Sequence, residues 1–429
     1  VLKTLVQAFK NKELRNRIFF TLFAFVVFRI MVFIPVPLVN PESLQLLFSN
    51  QNFFGIANAL TGSALERFSI IALGVGPYIT ASIVIQLLQM DIIPVLSDWA
   101  KEGETGKQKI NQLTRYAALV LAFLQALAMA IGFDKYYKGI FIDNPTPLKF
   151  FYIALVMTAG SAALLWLADQ ITAKGIGNGT SMIIMAGIVS SFPVMVNDLI
   201  QGFVIGKGIK EWVIFAIIIL VMLLIVVAII YMQNATRKIP IQYANRSNSA
   251  TLTGRKDSHL PIKLNPSGVI PVIFASSLIS IPLTIVGFVK NEGLQNWIYE
   301  IFSYNRPIGF VLYVLLIYIF SFFYSFVQVS PEKVAENLRK QGSYIPGVRP
   351  GKETENFVSG VLFRTTVVGA TYLMIVAILP IVSTVFFTQL PQSVQIGGTS
   401  LLIVVGVAQE IFNQIETKTK QQKYSGFIK

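Results

Sequence analysis

The chain contains no cysteine and a single histidine, His259. Without cysteine there is no disulfide framework and no thiolate metal site. A lone histidine in a polar stretch reads as a solvated side chain, because a metal needs several converging ligands. No GxxxxGK[ST] run occurs, which excludes nucleotide hydrolysis through a P-loop. Charge is scarce too. Only 13% of the residues are Asp, Glu, Lys or Arg, against about 25% in a typical soluble chain. That shortage argues against a soluble domain and for an integral membrane protein.

What is present is apolar: 54% of the 429 residues are hydrophobic. Ten stretches read as membrane spans, at 18–35, 69–90, 113–132, 149–168, 180–199, 212–232, 269–289, 308–329, 361–387 and 399–414. The stretch 361–387 is long and interrupted by Pro380, and the last one is short. The stretch 69–90 holds no charge but carries Gly74, Gly76 and Pro77 in its first half. In a membrane such residues are tolerated where neighbouring helices or a water-filled cavity satisfy the freed backbone groups. This stretch is therefore expected to face protein or water. The half-apolar run before it, FFGIANALTGSA at 53–64, is too short to span and reads as a re-entrant or interfacial piece. The basic lead 1–17 has an amphipathic pattern and reads as an interfacial helix rather than a cleaved signal peptide. The chain opens on Val1, so an initiator methionine is expected to precede it.

Orientation follows from the basic residues. The lead, the tail and the connections after even-numbered spans carry 25 of the 35 Lys and Arg, and the other connections carry seven. Both termini are expected in the cytoplasm. Much of the net charge of +14 is thereby explained as topology rather than as nucleic-acid binding. Ten spans divide after the fifth into an N-terminal half, 1–205, and a C-terminal half, 206–429. Five is odd, so the halves would face opposite ways, as in an inverted-topology repeat. Two cytoplasmic connections are long. The loop 233–268 alternates polar and apolar residues and predicts a β-hairpin. The loop 330–358 contains PEKVAENLRKQ, a predicted short helix, then a turn-rich run. Their tips hold Arg246, Arg255, Lys256, Arg349 and Lys352. These are either topological charge with no partner or a docking surface for a large anionic partner.

Within the spans only Arg29, Asp169 and Arg364 stand out as ionisable, each close enough to a predicted end to snorkel. There is no midplane carboxylate relay and no catalytic constellation, so neither an enzyme nor a bound cofactor is expected. The pattern fits a conduit closed by an apolar constriction, which gates by dewetting. An inverted-repeat secondary transporter and a multi-span scaffold without a pore are the alternatives.

Several runs carry a resemblance. SIIALGVGPYITASIVIQLL at 69–88 and WLADQITAKGIGNGTSMII at 166–184 resemble the two signature regions of the SecY family, the channel-forming subunits of bacterial protein translocases. PSGVIPVIFASSLIS at 266–280, YIPGVRPG at 344–351 and GGTSLLIVV at 397–405 match in the same order. The resemblance implies an all-α membrane protein, with ten helices in two inverted halves around an hourglass pore. It implies an aliphatic pore ring at Val75, Ile79, Thr180, Ile184, Ile273 and Ile403. The family favours isoleucine there, and Val75 and Thr180 depart from it. A plug is implied at Phe53, Phe54, Gly55, Ile56, Ala57, Asn58, Ala59, Leu60, Thr61, Gly62, Ser63 and Ala64. A lateral gate is implied at Thr80, Gln86, Asn178 and Ile281, with Gln86 expected to hydrogen-bond across helices. The implied partners are SecE and SecG as companion subunits, the ATPase SecA, a translating ribosome, signal sequences, nascent chains and membrane lipid. The implied place is the bacterial inner membrane.

Overall fold

The computed structural model describes residues 9–39, 61–89, 92–136, 142, 144–205, 208–243, 258–286, 292–303, 306–386 and 397–425. Helices dominate them. The first, α1 (Lys12–Val32), starts where the Asn11 side chain accepts the Glu13 N–H at 2.9 Å, an N-cap that satisfies one of the orphan donors. It runs unbroken into the apolar stretch. The second part of the basic lead therefore belongs to the first predicted span, not to a separate interfacial helix.

The predicted span at 69–90 is not one helix. Residues 69–75 form consecutive turns, and α2 (Gly76–Leu88) begins only at Gly76. Pro77 sits in its first turn, where a missing N–H costs nothing. The residues that looked like interruptions within a span thus mark where a helix starts. At about 1.5 Å per residue, α2 is shorter than the roughly 30 Å apolar core of a bilayer. The turn segment is held at both sides. Val36 N–H donates to Phe68 O, and Ile70 N–H donates to Ile34 O, each at 3.0 Å, so the exit of α1 pairs with it.

After a short amphipathic helix α3 (Pro94–Lys101) come four long helices: α4 (Glu104–Tyr136), α5 (Pro147–Lys174), α6 (Gly179–Phe203) and α7 (Ile209–Asn234). The remaining elements are strands β1 (Thr236–Tyr243) and β2 (Ser258–Lys263), helices α8 (Ile270–Val286), α9 (Glu292–Phe302), α10 (Pro307–Gln328) and α11 (Pro331–Lys340), strand β3 (Ser343–Tyr344), and helices α12 (Lys352–Phe386) and α13 (Gly397–Ser425). By length and composition α4, α5, α6, α7, α10 and α12 can cross a membrane, and α2 and α8 are shorter apolar helices. The α12 helix starts nine residues before the predicted 361 and continues through Pro380 without a break. On α7 only Ile229 is buried among the described residues, so this helix turns almost its whole apolar surface outward.

The predicted hairpin is present as β1 and β2, antiparallel from Thr236↔Lys263 to Ile241↔Ser258. His259 lies on β2, exposed, opposite Pro240. The predicted helix in the other loop is α11, with the Ser330 side chain at its N-cap. The sequence pattern did not indicate that the two loops join. Strand β3 pairs with β1 at Gln242↔Tyr344 and Tyr243↔Ser343, giving a sheet of order β2-β1-β3. Beneath it Ile239, Ile262, Leu338, Ile345, Val358 and Leu362 share one apolar core. This small domain is therefore built on the first turns of α12.

The two parts of the chain meet at the turn between α5 and α6. There Ile176 N–H donates to Thr21 Oγ1 of α1 at 3.2 Å, and Gly177 N–H donates to Gln414 Oε1 of α13 at 3.1 Å. Gly179 packs so closely on α5 that a Cβ would strike the Ala168 carbonyl oxygen. Glycine is required at that approach.

Candidate channel constriction and its closure

Val75, Ile79, Ile184, Ile273 and Ile403 come from four elements: the start of α2, the first turns of α6, the first turn of α8 and the first turns of α13. All five are buried in one extended hydrophobic cluster, which also takes in Phe28, Phe274, Tyr313 and Phe320. None is more than 9% exposed. Val75 is the N-cap of α2, and Gly74 before it takes φ +57°, a left-handed conformation that glycine adopts without penalty. Ile79 follows one helical turn later. The packing of α2 on α8 and of α6 on α13 closes the set.

Thr180 is polar and half-buried. It lies in the first turn of α6, where its N–H (3.1 Å) and its Oγ1 (2.7 Å) both donate to Asn178 Oδ1. The hydroxyl is committed to the helix start. Position 180 thus has the geometry of a cap partner, and Ile184, one turn deeper, carries the aliphatic contact. Residues that sequence reasoning missed extend the same cluster: Ile71, Ile83, Ile188 and Val407 are all buried in it. Three of them follow Ile79, Ile184 and Ile403 at a spacing of four, the repeat of one helix face. That spacing was available as a signal.

Of the implied plug, Phe53 to Leu60 lie outside the described residues. Thr61 to Ala64 are described. Gly62 and Ser63 both take positive φ, +66° and +68°. The Gly62 backbone lies against α6, where a Cβ would come 2.7 Å from Ser190 Oγ and 3.0 Å from Gly187 Cα. Ala64 is fully buried and belongs to the aliphatic cluster. Arg29, expected to snorkel, instead points into this corner. Its Nη1 donates to Gly62 O at 2.9 Å and to Ser190 Oγ at 3.3 Å. Its guanidinium also lies over the Phe33 ring, 4.9 Å from the centroid, with Arg67 on the same ring at 4.5 Å.

The four implied gate residues fall on three elements. Thr80 and Gln86 are on α2, Ile281 is on α8, which packs against α2, and Asn178 is the N-cap of α6. Gln86 does not bond across helices. Its Nε2 donates to Ser82 Oγ of its own helix at 3.0 Å, and its Oε1 is buried without a partner among the described residues. A bond within α2 wins because Ser82 sits one turn away on the same face.

Of the implied docking residues, Arg246, Arg255 and Lys256 lie outside the described residues. Arg349 and Lys352 are exposed at the start of α12, next to the small sheet. The Arg349 carbonyl accepts from Thr354 Oγ1 at 2.8 Å, which fixes the turn and leaves the guanidinium facing outward. Among the described residues no group of His, Asp and Glu side chains is arranged to hold a metal ion.

A family model described as SecY matches residues 69–412. The protein translocase subunit SecY of Halalkalibacterium halodurans is 48% identical over 431 residues, covering 100% of both chains. Among solved structures, a SecY whose plug domain is described as stabilising the closed state of the translocation channel and maintaining a membrane seal matches with a TM-score of 0.65 at 19% identity. It covers 94% of this chain and 92% of that one. Sec61 in the canine ribosome–channel complex from the endoplasmic reticulum matches with a TM-score of 0.61 at 19% identity, with the same coverage. The solved structures carry the fold, and the full-length identity carries the kinship: the chain belongs to the SecY family.

Proposed function

We infer that the chain is the channel subunit of a protein translocase, a conduit for polypeptide rather than an enzyme. The observation that carries this reading is that Val75, Ile79, Ile184, Ile273 and Ile403, from four separate elements, are all buried in the one hydrophobic cluster where α2 packs on α8 and α6 on α13. An aliphatic waist of that kind excludes water and ions at rest by dewetting. It also offers no specific hydrogen bond, so unfolded cargo of any sequence can pass. Membership of the SecY family sets aside the secondary transporter.

On this reading ten spans in two inverted halves surround an hourglass pore. The excess of Lys and Arg on one side supports cytoplasmic termini and insertion in the bacterial inner membrane. Val75, Ile79, Ile184, Ile273 and Ile403 form the ring, with Thr180 at its rim. Residues 53–64 plug it. Thr80, Gln86 and Ile281, with Asn178 at the start of α6, border the lateral gate. A signal sequence opens the seam only by as much as it binds the open state better than the closed one. Apolar segments then leave sideways into lipid, and charged segments cross, because leaving them in lipid costs several kcal/mol. The sequence has no P-loop, and a translating ribosome, SecA or the membrane potential drives the movement. The small sheet with Arg349 and Lys352, together with Arg246, Arg255 and Lys256 of the connection between β1 and β2, forms the docking face for ribosomal RNA phosphate or for SecA. The ribosome-bound state of canine Sec61 supports that assignment. SecE and SecG complete the assembly.

The test is export of an unfolded secretory precursor into liposomes carrying the isolated translocase. Protection of the precursor from added protease is expected. Protection no greater than in protein-free liposomes would contradict the reading.

A further inference from the structure

We propose that Arg29 is a latch that holds the closed state by gripping the end of the plug, an inference that rests on the channel reading above. Three elements meet at its guanidinium. Arg29 is carried by α1, Gly62 lies in the turn segment that leads to α2, and Ser190 is on α6. The two hydrogen bonds from Nη1 reach residues 33 and 161 positions away in sequence. Both bonds leave one nitrogen, Nη1, whose two N–H groups serve the carbonyl and the hydroxyl at once.

The acceptors are neutral. Among the described residues no carboxylate forms an ion pair with Arg29. Ser190 is preset to accept, since its own hydroxyl donates to Gly187 O at 2.7 Å. The grip therefore uses backbone and hydroxyl oxygens only. It is a charge-assisted hydrogen bond without the commitment of a buried ion pair, strong enough to bias an equilibrium and weak enough to break in a gating cycle.

The grip falls at a place where nothing else is redundant. Gly62 and Ser63 are both left-handed, so the carbonyl orientation that meets Arg29 depends on a specific local fold. Gly62 is against α6 with no room for a side chain. Thr61 is against Gly74, whose Cβ would come 2.8 Å from Thr61 Cγ2. Gly74 in turn directly precedes Val75 of the aliphatic cluster. Release of the Gly62 carbonyl thus frees the segment that abuts the constriction. Arg67, brought to the same Phe33 ring as Arg29, places two like charges together when the segment is seated. That repulsion favours departure once the hydrogen bonds break.

The absence of cysteine from the chain provides a clean probe. Ala64 is fully buried in the closed state, so Ala64→Cys is the chain's sole thiol, labelled by a membrane-impermeant maleimide only when the segment leaves. In the resting translocase, Arg29→Leu in that background is expected to raise the labelling rate and the resting chloride leak of proteoliposomes about tenfold, the effect of losing one charge-assisted hydrogen bond. Arg29→Lys should fall between, and Ser190→Ala should give about a twofold rise. Labelling and leak equal to the parent in an Arg29→Leu complex that still exports precursor would overturn the latch. Should Arg29→Leu fail to assemble, Arg29→Lys and Ser190→Ala decide, and no rise in either overturns it. Loss of the channel reading has a different signature: the chain without any substitution then exports nothing.

Discussion

The Tyr344 hydroxyl donates to Gln242 Oε1 across 2.9 Å, and through this pair the second long loop is fastened to the first. The bond lies at one end of the β1–β3 pairing, over the shared core of Ile239, Ile262, Leu338, Ile345, Val358 and Leu362. The two loops thus behave as one small domain that moves with α12, rather than as two independent tips.

Leu338→Ala should therefore weaken both loops together. Truncating a buried leucine costs about 2–5 kcal/mol, and here the loss falls on a local unit. Hydrogen exchange of the β1 and β2 amides should accelerate along with that of α11, while α5 and α6 stay protected. Faster exchange confined to α11 would contradict the joint domain.

Gln86 leaves a buried Oε1 without a partner among the described residues, a cost of about 1–3 kcal/mol. Gln86→Leu removes that cost in the closed state. The Tm of the purified complex should rise, and export should depend more steeply on the strength of the signal sequence. An unchanged Tm with unchanged signal dependence would count against the placement of this residue at the seam.

Thr180 and Ile184 sit one turn apart on α6 but have separate roles in the geometry. Ile184→Asn introduces a polar group into the aliphatic cluster and should raise the resting ion leak several-fold. Thr180→Val loses the bond to Asn178 Oδ1, about 0.5–1.5 kcal/mol, and should leave the leak unchanged. Equal leak from the two variants would place Thr180 in the seal after all.

At Gly160 any Cβ would strike the Ile70 carbonyl oxygen. Gly160→Ala should push the 69–75 segment off α5, with an overpacking cost of about 1–3 kcal/mol seen as a lower Tm. Gly76→Ala is the matched control, because nothing lies within 4 Å of a Cβ there. A Tm drop from Gly76→Ala as large as that from Gly160→Ala would show that contact with Ile70 is not the cause.

Glu336 pairs with Lys340 one turn on, at 2.9 Å. The hydrogen bond and charge of Lys340 hold its carboxyl below the usual carboxylate range. A depressed carboxylate contributes stability that is present above its unfolded value of about 4.3 and lost as pH falls through the folded value. Protection of the α11 amides should therefore decline below about pH 4 in the parent. In Glu336→Gln that decline should flatten, and an identical decline would assign it to another group.

Much of this fold was legible before any coordinates. Apolar length marked the long helices, alternation marked β1 and β2, and PEKVAENLRKQ marked α11. Each of these signals lives within one element. The features that escaped are those that join elements. Nothing in GSYIP says that Tyr344 meets Gln242 about a hundred residues earlier, since one pair of extended residues carries no periodicity of its own. Arg29 near a span end is as consistent with snorkelling as with gripping Gly62, and only the packing of three elements decides. Gln86 and Thr180 follow one rule: a polar side chain takes the nearest acceptor or donor, and in both cases that group lies on its own helix or at its cap. Pro77 lies inside an unbroken apolar run, and only the backbone turns before Gly76 show that it marks a helix start.

An aliphatic waist that surrounds the moving polypeptide must touch it from every side, and site-specific photo-crosslinking reads that contact. A photoreactive residue is placed singly at Ile79, Ile184, Ile273 and Ile403, with Leu220 on the outward face of α7 as control, and a secretory chain is stalled in transit. Adducts to the chain from all four positions and none from Leu220 are the predicted result. A stalled and engaged chain that crosslinks to none of the four would contradict the account.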